Sequence, residues 1–286
     1  MELSQELKIL LEKLKKEKIV VMLAPSFVVD FDPESIPLEL KQIGFYQVVE
    51  LTFASKILSH YYHEFFNEKK GERIISSVCP SCVGLIKTKY PNLVKYLAPF
   101  DSPMTAMNKI VKKRWKNTKT CFIGPCFAKK VEAKQYGVDY ALTFAECRKL
   151  MDYCYENDIV NMKIKDSTFD GDYNDFTKIF PVSGGLCVNV NAEHVFKKSQ
   201  YISLCGLKDI EKELKNFDKK KNVIFWDLLF CEGGCIGGPA VLSERSIKER
   251  TKIVKDYVHL SYDKKIGGDE IGHIKDADGI KFLKKF

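Results

Sequence analysis

The chain has 286 residues, of which 45% are hydrophobic and 29% are charged, with ten cysteines and a formal net charge of +8. This is the composition of a globular protein with one domain or two closely packed subdomains. The sequence contains no run of about 18 apolar residues, so we expect no membrane span. It also shows no basic stripe of the kind that binds nucleic acid. The N-terminus lacks the apolar stretch of a secretory signal, so we expect a cytoplasmic protein, in which disulfides are rare.

The hydrophobic pattern predicts that helices and strands alternate along the chain. An amphipathic helix opens it, with apolar positions at helical spacing: Leu7, Leu10, Leu11 and Leu14. The predicted strands are 19–25, 45–51, 73–77, 120–124, 139–143 and 222–230. The predicted helices include 53–68, 80–91, one that starts at Ser102-Pro103, and 144–156. This alternation indicates an α/β fold with a largely parallel sheet.

Two stretches are predicted to lie outside the regular core. Residues 158–180 are polar and irregular, which indicates a surface excursion between two halves of the protein. From about Asp263 the chain is polar and contains several glycines, which is typical of a loosely packed tail. We therefore divide the chain into an N-terminal helix (1–18), a main domain (19–260) with lobes at roughly 19–157 and 158–260, and a C-terminal tail (261–286).

Three predicted strands lead directly into loops that contain cysteine. Cys79 and Cys126 each follow one strand, and Cys231 and Cys235 follow the strand 222–230. Because ligands of open α/β sheets bind at the carboxyl ends of strands, we expect these four thiols to converge at one edge. Four thiolates in a reducing compartment are typical ligands of zinc or of an iron–sulfur cluster.

Other uses of the cysteines stay open at this point. The four could be buried core thiols, or zinc could be held through CxxC and CxxxC spacings by Cys79, Cys82, Cys231 and Cys235. The zinc alternative leaves Cys126 and Lys129 without a role. The remaining cysteines are expected in the core, because free cysteine packs like a small hydrophobic side chain. They are Cys82, Cys121, Cys147, Cys154, Cys187 and Cys205.

The cysteine loops resemble three signatures of the H-cluster domain of iron-only (FeFe) hydrogenases. The family motifs TSCCP, PCxxKxxE and CxxGCxxGG correspond in order to SSVCP (76–80), PCFAKKVE (125–132) and CEGGCIGG (231–238). Further matches are LAPSF (23–27), KYPNLVKYLAPFDSPM (89–104) and FPVSGG (180–185). The resemblance covers most of residues 19–240. It implies two packed α/β subdomains with mainly parallel sheets and flanking helices, and a metal cluster between them at strand carboxyl ends.

The resemblance implies that the chain holds one H-cluster. Cys79, Cys126, Cys231 and Cys235 would ligate its 4Fe–4S subcluster. Cys235 would also bridge to a two-iron subsite with carbonyl, cyanide and dithiolate ligands. The resemblance further implies maturation proteins that supply the cofactor. No CxxCxxCxxxCP module precedes residue 19, so electrons would come directly from a ferredoxin-like carrier.

Four more residues match positions near the cluster. Lys129 corresponds to the lysine that hydrogen-bonds one cyanide, and a buried ammonium does need an anionic partner. Pro25 and Ser26 correspond to the loop that contacts the other cyanide. Glu132 completes the second signature and is expected to order its loop. A bare 4Fe–4S cluster would not require Pro25, Ser26 and Lys129.

Other positions depart from the family. Val78 stands where fast enzymes carry a cysteine that hands protons to the two-iron subsite, and valine has no exchangeable side-chain proton. Ala98 replaces a relay serine, and the family's acidic pair is missing from the helix 53–68. Gly124 and Leu229 stand where methionines usually pack on the subsite. The usual proton path is therefore expected to be absent.

Substitute proton donors have to be sought elsewhere in the chain. Glu232 lies beside two ligand cysteines and is one candidate, although its carboxylate could simply face water. His60, Tyr62, His63 and Glu64 are others, since His60 and Glu64 share one face of a helix. A half-exposed helix without a relay is the simpler interpretation of these four.

Three functions are compatible with the sequence. The first is a compact FeFe-hydrogenase that interconverts protons plus electrons and dihydrogen at a modest rate. The second is a weakly active protein that senses dihydrogen with the same cofactor and signals through a partner. In lacking the proton-donor cysteine, the chain resembles the compact and sensory branches of the family. The third is a protein with only a 4Fe–4S cluster, used for electron transfer or iron–sulfur delivery.

Overall fold

The computed structural model describes residues 2–264 and 268–286, within which strands and helices alternate. The strands are β1 Ile19–Leu23, β2 Gln47–Glu50, β3 Ile74–Ile75, β4 Lys119–Gly124, β5 Tyr140–Thr143, β6 Asp172–Tyr173, β7 Tyr201–Cys205, β8 Phe225–Leu229 and β9 Glu270–Ile271. The helices are α1 Gln5–Leu14, α2 Ile36–Gln42, α3 Thr52–Glu68, α4 Pro80–Lys89, α5 Pro103–Arg114, α6 Phe127–Gln135, α7 Phe144–Glu156, α8 Gly185–Asn189, α9 Ala192–Val195, α10 Leu207–Lys215 and α11 Ile247–Lys264. None of the described helices is long and apolar enough to cross a membrane.

The larger sheet has four parallel strands in the order β2-β1-β4-β5. Strand β1 lies inside the sheet and all of its residues are buried, which explains its uninterrupted apolar run. Val21 lies opposite Val48 on one side and Cys121 on the other. Helix α1 buries its four leucines in the same core, as their periodicity predicts.

The smaller sheet has three parallel strands in the order β3-β8-β7. Trp226 of β8 lies opposite Ile75 of β3 and Ile202 of β7. Both sheets are parallel and carry flanking helices, which confirms the predicted α/β class. The sheets do not divide the chain at the predicted boundary between 19–157 and 158–260, because β3 joins strands of the second half. A two-residue strand carries no local signal of the sheet that it will join.

Residues 158–168 are irregular and mostly exposed, as their polarity predicts, whereas residues 169–180 are not part of a surface excursion. They contain β6 and a short 3-10 helix, and Phe169 is buried. Lys178 is fully buried because its ammonium lies 2.5 Å from the Glu50 carboxylate and 3.1 Å from the Tyr257 hydroxyl. Burying a charge is tolerated when it is paired in this way. The partners come from other parts of the chain, so composition alone does not reveal the burial.

The C-terminal segment packs on the body of the protein, contrary to the loose tail predicted at 261–286. Helix α11 extends through Lys264, residues 265–267 lie outside the described residues, and β9 pairs with β6. The Phe282 side chain is 1% exposed, and its ring meets that of Tyr61 edge to face with centroids 5.7 Å apart. Isolated apolar residues anchor this segment, and they are too sparse to form a periodic pattern.

Replacing Phe282 with alanine should lower the free energy of unfolding by about 3–5 kcal/mol, the usual effect of removing a buried phenylalanine ring. Leu283→Ala is the matched control, since Leu283 is 57% exposed and should change stability little. Urea unfolding followed by circular dichroism measures both variants. Equal unfolding midpoints for the two would contradict the packing of the C-terminal segment.

Candidate metal centre

Strands of both sheets end at one cavity. Cys79 follows β3, Cys126 follows β4, and Cys231 and Cys235 follow β8; all four residues line this cavity. Pro25, two residues after β1, lines it as well. The carboxyl ends of parallel strands from two sheets thus bring the four predicted ligands together.

The ten cysteines, all free thiols, differ in exposure. The four predicted ligands are partly exposed and line the cavity. Five others are buried, as expected for core cysteines: Cys82, Cys121, Cys147, Cys154 and Cys187. Cys205 differs from that expectation, because it is partly exposed and its sulfur accepts a hydrogen bond from the Gly233 amide at 3.2 Å.

The donor set differs from that of the zinc alternative. In the described parts of the chain, no three Cys, His, Asp or Glu side chains converge closely enough to hold a single ion. A zinc ion with four thiolate ligands needs Zn–S distances of about 2.3 Å, which places the sulfurs in mutual contact. Cys82, a ligand in the zinc alternative, is fully buried and is not among the residues that line the described cavity. The donor set fits an iron–sulfur cluster, which spreads its thiolates over several iron atoms.

The glycine-rich loop 231–238 is held from both sides by close main-chain contacts. A Cβ added to Gly238 would lie 2.6 Å from the carbonyl oxygen of Pro125, so only glycine lets this loop pack against the loop of the second signature. On its other side, the Cys235 amide donates a hydrogen bond to the carbonyl of Pro181 at 2.7 Å. The positions of the two thiols in this loop are therefore fixed by its neighbours.

Pro25, Ser26 and Lys129 line the same cavity as the four cysteines. Ser26 is fully buried, and its hydroxyl has no hydrogen-bond partner among the described residues. A buried polar group without a partner costs about 1–3 kcal/mol. A ligand that accepts a hydrogen bond in this cavity would remove that cost. These residues thus fit a group that carries acceptors in addition to an iron–sulfur cubane.

Lys129 is held in place by a buried carboxylate. Its ammonium lies 2.6 Å from Oε2 of Glu132, whose side chain is 4% exposed. Lys284 donates to the other carboxylate oxygen at 2.6 Å, and the Ser102 hydroxyl donates to Oε2 at 3.1 Å. Burial alone would raise the pKa of Glu132, but the charges of Lys129 and Lys284 outweigh it and lower this pKa. The carboxylate therefore links the second signature to the C-terminal segment.

The thiols around the cavity differ in acidity. The Cys82 thiol hydrogen-bonds to the sulfur of Cys79 and lowers the pKa of Cys79 to about 6. Burial raises the pKa of Cys126 and Cys235, and it raises that of Cys231 to about 12. Because metals bind thiolates, loading of this site releases protons, and the apparent affinity for iron should rise with pH.

The proton-delivery positions of the family carry no ionisable group here. Val78 is buried and lines the cavity, and Ala98 is fully buried. At Gly124 an added Cβ would lie 2.4 Å from the Phe122 ring, which takes the place of a larger side chain. Leu229 lines the cavity with its apolar side chain. Val78, Phe122 and Leu229 thus give the cavity an apolar wall.

The substitute proton donors lie apart from the cavity. Glu232 is exposed. His60 and Glu64 share one face of α3, as predicted, and this face borders a surface cleft. Tyr62 is buried, and its hydroxyl accepts a hydrogen bond from the Ser77 amide at 3.0 Å. None of these four candidates, and not His63 either, is among the residues that line the cysteine cavity described here.

Sequence analysis did not identify two residues of the site. Lys284 pairs with Glu132 across 152 positions of the chain, so no local motif marks it. Met104 lines the cavity from the first turn of α5. Met104 is the last residue of the stretch 89–104 that resembles the family, and this resemblance is the only sequence feature that points to it.

Two parallel sheets that end at a cavity lined by four free cysteines define an α/β protein with a candidate iron–sulfur site. The family described as iron only hydrogenase large subunit, C-terminal domain, matches residues 17–239. This match spans more than half of the chain, and the chain therefore belongs to that family.

Solved structures with the same fold include FeFe-hydrogenases. A single-site variant of the [FeFe]-hydrogenase HydA1 from Chlamydomonas reinhardtii has a TM-score of 0.64 at 15% sequence identity, with 99% of each chain covered. A HydA structure that reveals stepwise H-cluster assembly has a TM-score of 0.62 at 16% identity, again over 99% of each chain. At this level of identity, the likeness establishes the fold.

Replacing Cys126 with alanine should abolish the visible absorption of a reconstituted 4Fe–4S cluster, because the cavity then lacks one of its four thiols. Cys147→Ala should retain the absorption, since Cys147 is buried in α7 and is not a cavity residue. Anaerobic reconstitution with iron and sulfide, followed by absorption spectroscopy and iron analysis, compares the two. An intact cluster in the Cys126→Ala protein would overturn the ligand set.

Replacing Lys284 with methionine should destabilise the protein by about 3–5 kcal/mol near neutral pH, because it removes one partner of a buried carboxylate. A carboxylate whose folded pKa is lowered contributes stability above its unfolded pKa of about 4.3 and loses it as the pH falls through the folded value. The effect should therefore shrink in acid. The exposed Lys285 provides the control Lys285→Met. Unfolding curves that show the same loss at every pH would contradict this role of the Glu132 pair.

Proposed function

We propose that this chain binds an H-cluster and acts as a compact FeFe-hydrogenase that interconverts protons plus electrons and dihydrogen at a modest rate. The observation that carries the proposal is the buried Ser26 hydroxyl, which has no hydrogen-bond partner in the described part of the chain and lies in a cavity shared with the four cysteines and Lys129. A protein that held only a 4Fe–4S cluster for electron transfer or delivery would need the thiols alone. Membership of the hydrogenase family supports the same class of reaction.

The four cysteines would hold the 4Fe–4S subcluster as thiolates. The resemblance to the family implies that Cys235 would also hold the two-iron subsite, and a hydrogen bond from its amide to the carbonyl of Pro181 fixes its loop. When bound, the two-iron subsite supplies the redox chemistry of dihydrogen. The buried strands that precede these loops would keep the ligands rigid and exclude water.

Lys129 and Ser26 would orient the two-iron subsite. The Lys129 ammonium is already positioned by Glu132 and has further N–H donors to offer. A charge-assisted hydrogen bond from such a group is worth about 1.5–3 kcal/mol. Ser26 would donate its free hydroxyl proton to a second acceptor. Two donors from different loops would fix both position and rotation.

Proton delivery is the weak part of the proposed site and the reason for a modest rate. Val78 has no exchangeable side-chain proton, and its apolar neighbours in the cavity wall include Met104, Phe122 and Leu229. A positioned general acid contributes about 10²–10⁴-fold to the rate of such steps. Glu232 remains a candidate donor only through water, since its side chain is exposed.

A dihydrogen sensor is the second candidate, and the same wall of the cavity favours it. A sensor needs the cofactor but not fast turnover, so Val78 and Ala98 would not impair its function. We accordingly propose that the chain is closest to the compact or sensory branches of the family, which lack the proton-donor cysteine.

We further propose a cytoplasmic location, maturation proteins that supply the two-iron unit, and a ferredoxin-like electron carrier. Phe127, the residue after Cys126, is 56% exposed, and Val131 one turn later is 71% exposed. These apolar side chains lie beside a proposed cluster ligand, where a small carrier would dock. The net charge of +8 would steer an acidic carrier to the protein.

Infrared spectroscopy of the matured protein tests the proposed cofactor, because iron-bound carbonyl and cyanide give characteristic stretching bands. Lys129→Ala should spare the 4Fe–4S absorption but reduce retention of the two-iron unit and shift the cyanide bands. Lys130→Ala is the matched control, since Lys130 pairs with Glu6 and Glu146 instead. A fully matured protein that carries the 4Fe–4S cluster but shows no such bands would favour electron transfer or delivery.

Replacing Val78 with cysteine should raise the rate of hydrogen evolution, because it places a thiol in the cavity wall. The gain should lie toward the lower end of the about 10²–10⁴-fold range of general acid catalysis, since Ala98 leaves the outer relay incomplete. Val83→Cys, on α4 and outside the cavity lining, is the control. Assays with a chemical reductant at equal cofactor loading decide the matter. No gain for Val78→Cys would show that proton delivery at this position does not limit the rate.

A further inference from the structure

Cys82, the second thiol of the sequence CPSC, has no role in the proposed cofactor site. Cys79 is the N-cap of helix α4, and Cys82 is the third residue of this ten-residue helix. Cys79 packs against the smaller hydrophobic core, which contains Cys82. The pair is therefore a CxxC sequence at the start of a helix, at a spacing that puts two side chains on one face.

Side chains at this spacing meet at other helix starts that the structure describes. Ser102 and Thr105 at the start of α5 have side-chain oxygens 3.4 Å apart, and Thr143 donates to Glu146 at the start of α7 at 2.9 Å. Positions three apart on a helix have Cβ atoms about 5–6 Å apart, and a disulfide needs about 3.5–4.5 Å. A small shift of the first turn of α4 would close that gap.

The two thiols differ in accessibility. Cys79 is partly exposed and lines the cavity, whereas Cys82 is fully buried in the smaller hydrophobic core. A small disulfide in solution can therefore reach Cys79 but not Cys82. Cys82 lies three residues after Cys79 on the same face of the helix start, from which it can resolve a mixed disulfide.

We propose that Cys79 and Cys82 form a reversible disulfide in the cluster-free protein and that this disulfide blocks loading of the iron–sulfur cluster. The proposal rests on the proposed function, because it takes Cys79 as a cluster ligand. Once Cys79 is bonded to Cys82, the cavity offers three thiols instead of four. Loading would then require prior reduction, and the ligand would be protected from irreversible oxidation while no cluster is bound.

The reaction is a thiol–disulfide exchange with a low-molecular-weight disulfide such as oxidised glutathione. The Cys79 sulfur attacks that disulfide, forms a mixed disulfide and releases one small thiol. The Cys82 sulfur then attacks the Cys79 sulfur and releases the second small thiol. Two electrons pass from the cysteines to the small disulfide, and the two cysteine protons are taken up by the two small thiols. An excess of reduced small thiol reverses both steps.

The test uses the full chain purified without cluster and equilibrated anaerobically in buffers of reduced and oxidised glutathione. Peptide mapping by mass spectrometry should find Cys79 and Cys82 joined in the oxidising buffers and free in the reducing ones. Iron and sulfide are then added under non-reducing conditions. The oxidised protein should give only background cluster absorption, and prior treatment with a dithiol reductant should restore it.

Two variants separate the disulfide from general oxidation. Cys82→Ala should form no such bond and should stop at the mixed disulfide between Cys79 and glutathione, which mass spectrometry detects. Cys154→Ala, at a buried cysteine of α7, should behave like the unaltered protein. If a variant fails to fold, peptide mapping of the unaltered chain still tests whether Cys79 and Cys82 form the disulfide.

Three results would overturn the proposal: Cys79 and Cys82 both free in oxidising buffer, Cys79 joined to another cysteine, or normal loading of the oxidised protein. Thiol mapping does not require the two-iron subsite. A failure here with normal carbonyl and cyanide bands would leave the proposed function intact. If loading of the 4Fe–4S site depends on the disulfide but those bands are missing, this proposal would stand and the proposed function would fail.

Discussion

The cavity depends on one constraint, which is that parallel strands of two different sheets end at the same place. Strands β1 and β4 of the larger sheet and β3 and β8 of the smaller one all lead into loops that line it. Their strand registers are set by buried side chains such as Trp226, so each loop starts from a fixed point. The cysteines thus inherit their positions from the packing of the core. A shift between the sheets would separate Cys126 from Cys79, Cys231 and Cys235.

Three ion pairs, made by two buried carboxylates, fasten distant parts of the chain around this arrangement. Glu132 joins Lys129 at the cavity to Lys284 in the C-terminal segment, and Lys178 joins Glu50 at the end of β2. Removing water from such charges is unfavourable, and each pair is tolerable because its partners hydrogen-bond directly. The same property makes the pairs specific, since a misplaced segment would leave a charge buried alone. The C-terminal segment, although polar, is therefore part of the site's support.

The sequence revealed those features whose physical cause is local. The apolar run at β1, the leucine spacing of α1 and the cap at Ser102 each predict an element that the structure contains. Convergence of the cysteines followed from one general rule about strand ends. The pairing of β3 with β8, the burial of Lys178 and the contact of Lys284 with Glu132 depend on partners far away in the chain. No pattern within a short window carries that information.

Cofactor binding and proton delivery make separate physical demands on this fold. Binding requires particular atoms at the cavity surface, namely thiols, a buried hydroxyl and an ammonium, and these are present together in Ser26, Lys129 and the four cysteines. Proton delivery requires a series of side chains with exchangeable protons, and replacing these side chains with apolar ones of similar size leaves the packing intact. Valine is close to cysteine in size and polarity, so Val78 preserves the wall, and the Phe122 ring occupies the space left at Gly124. The fold can therefore retain the cofactor site while losing the relay, which is the combination that a slow or sensing protein needs.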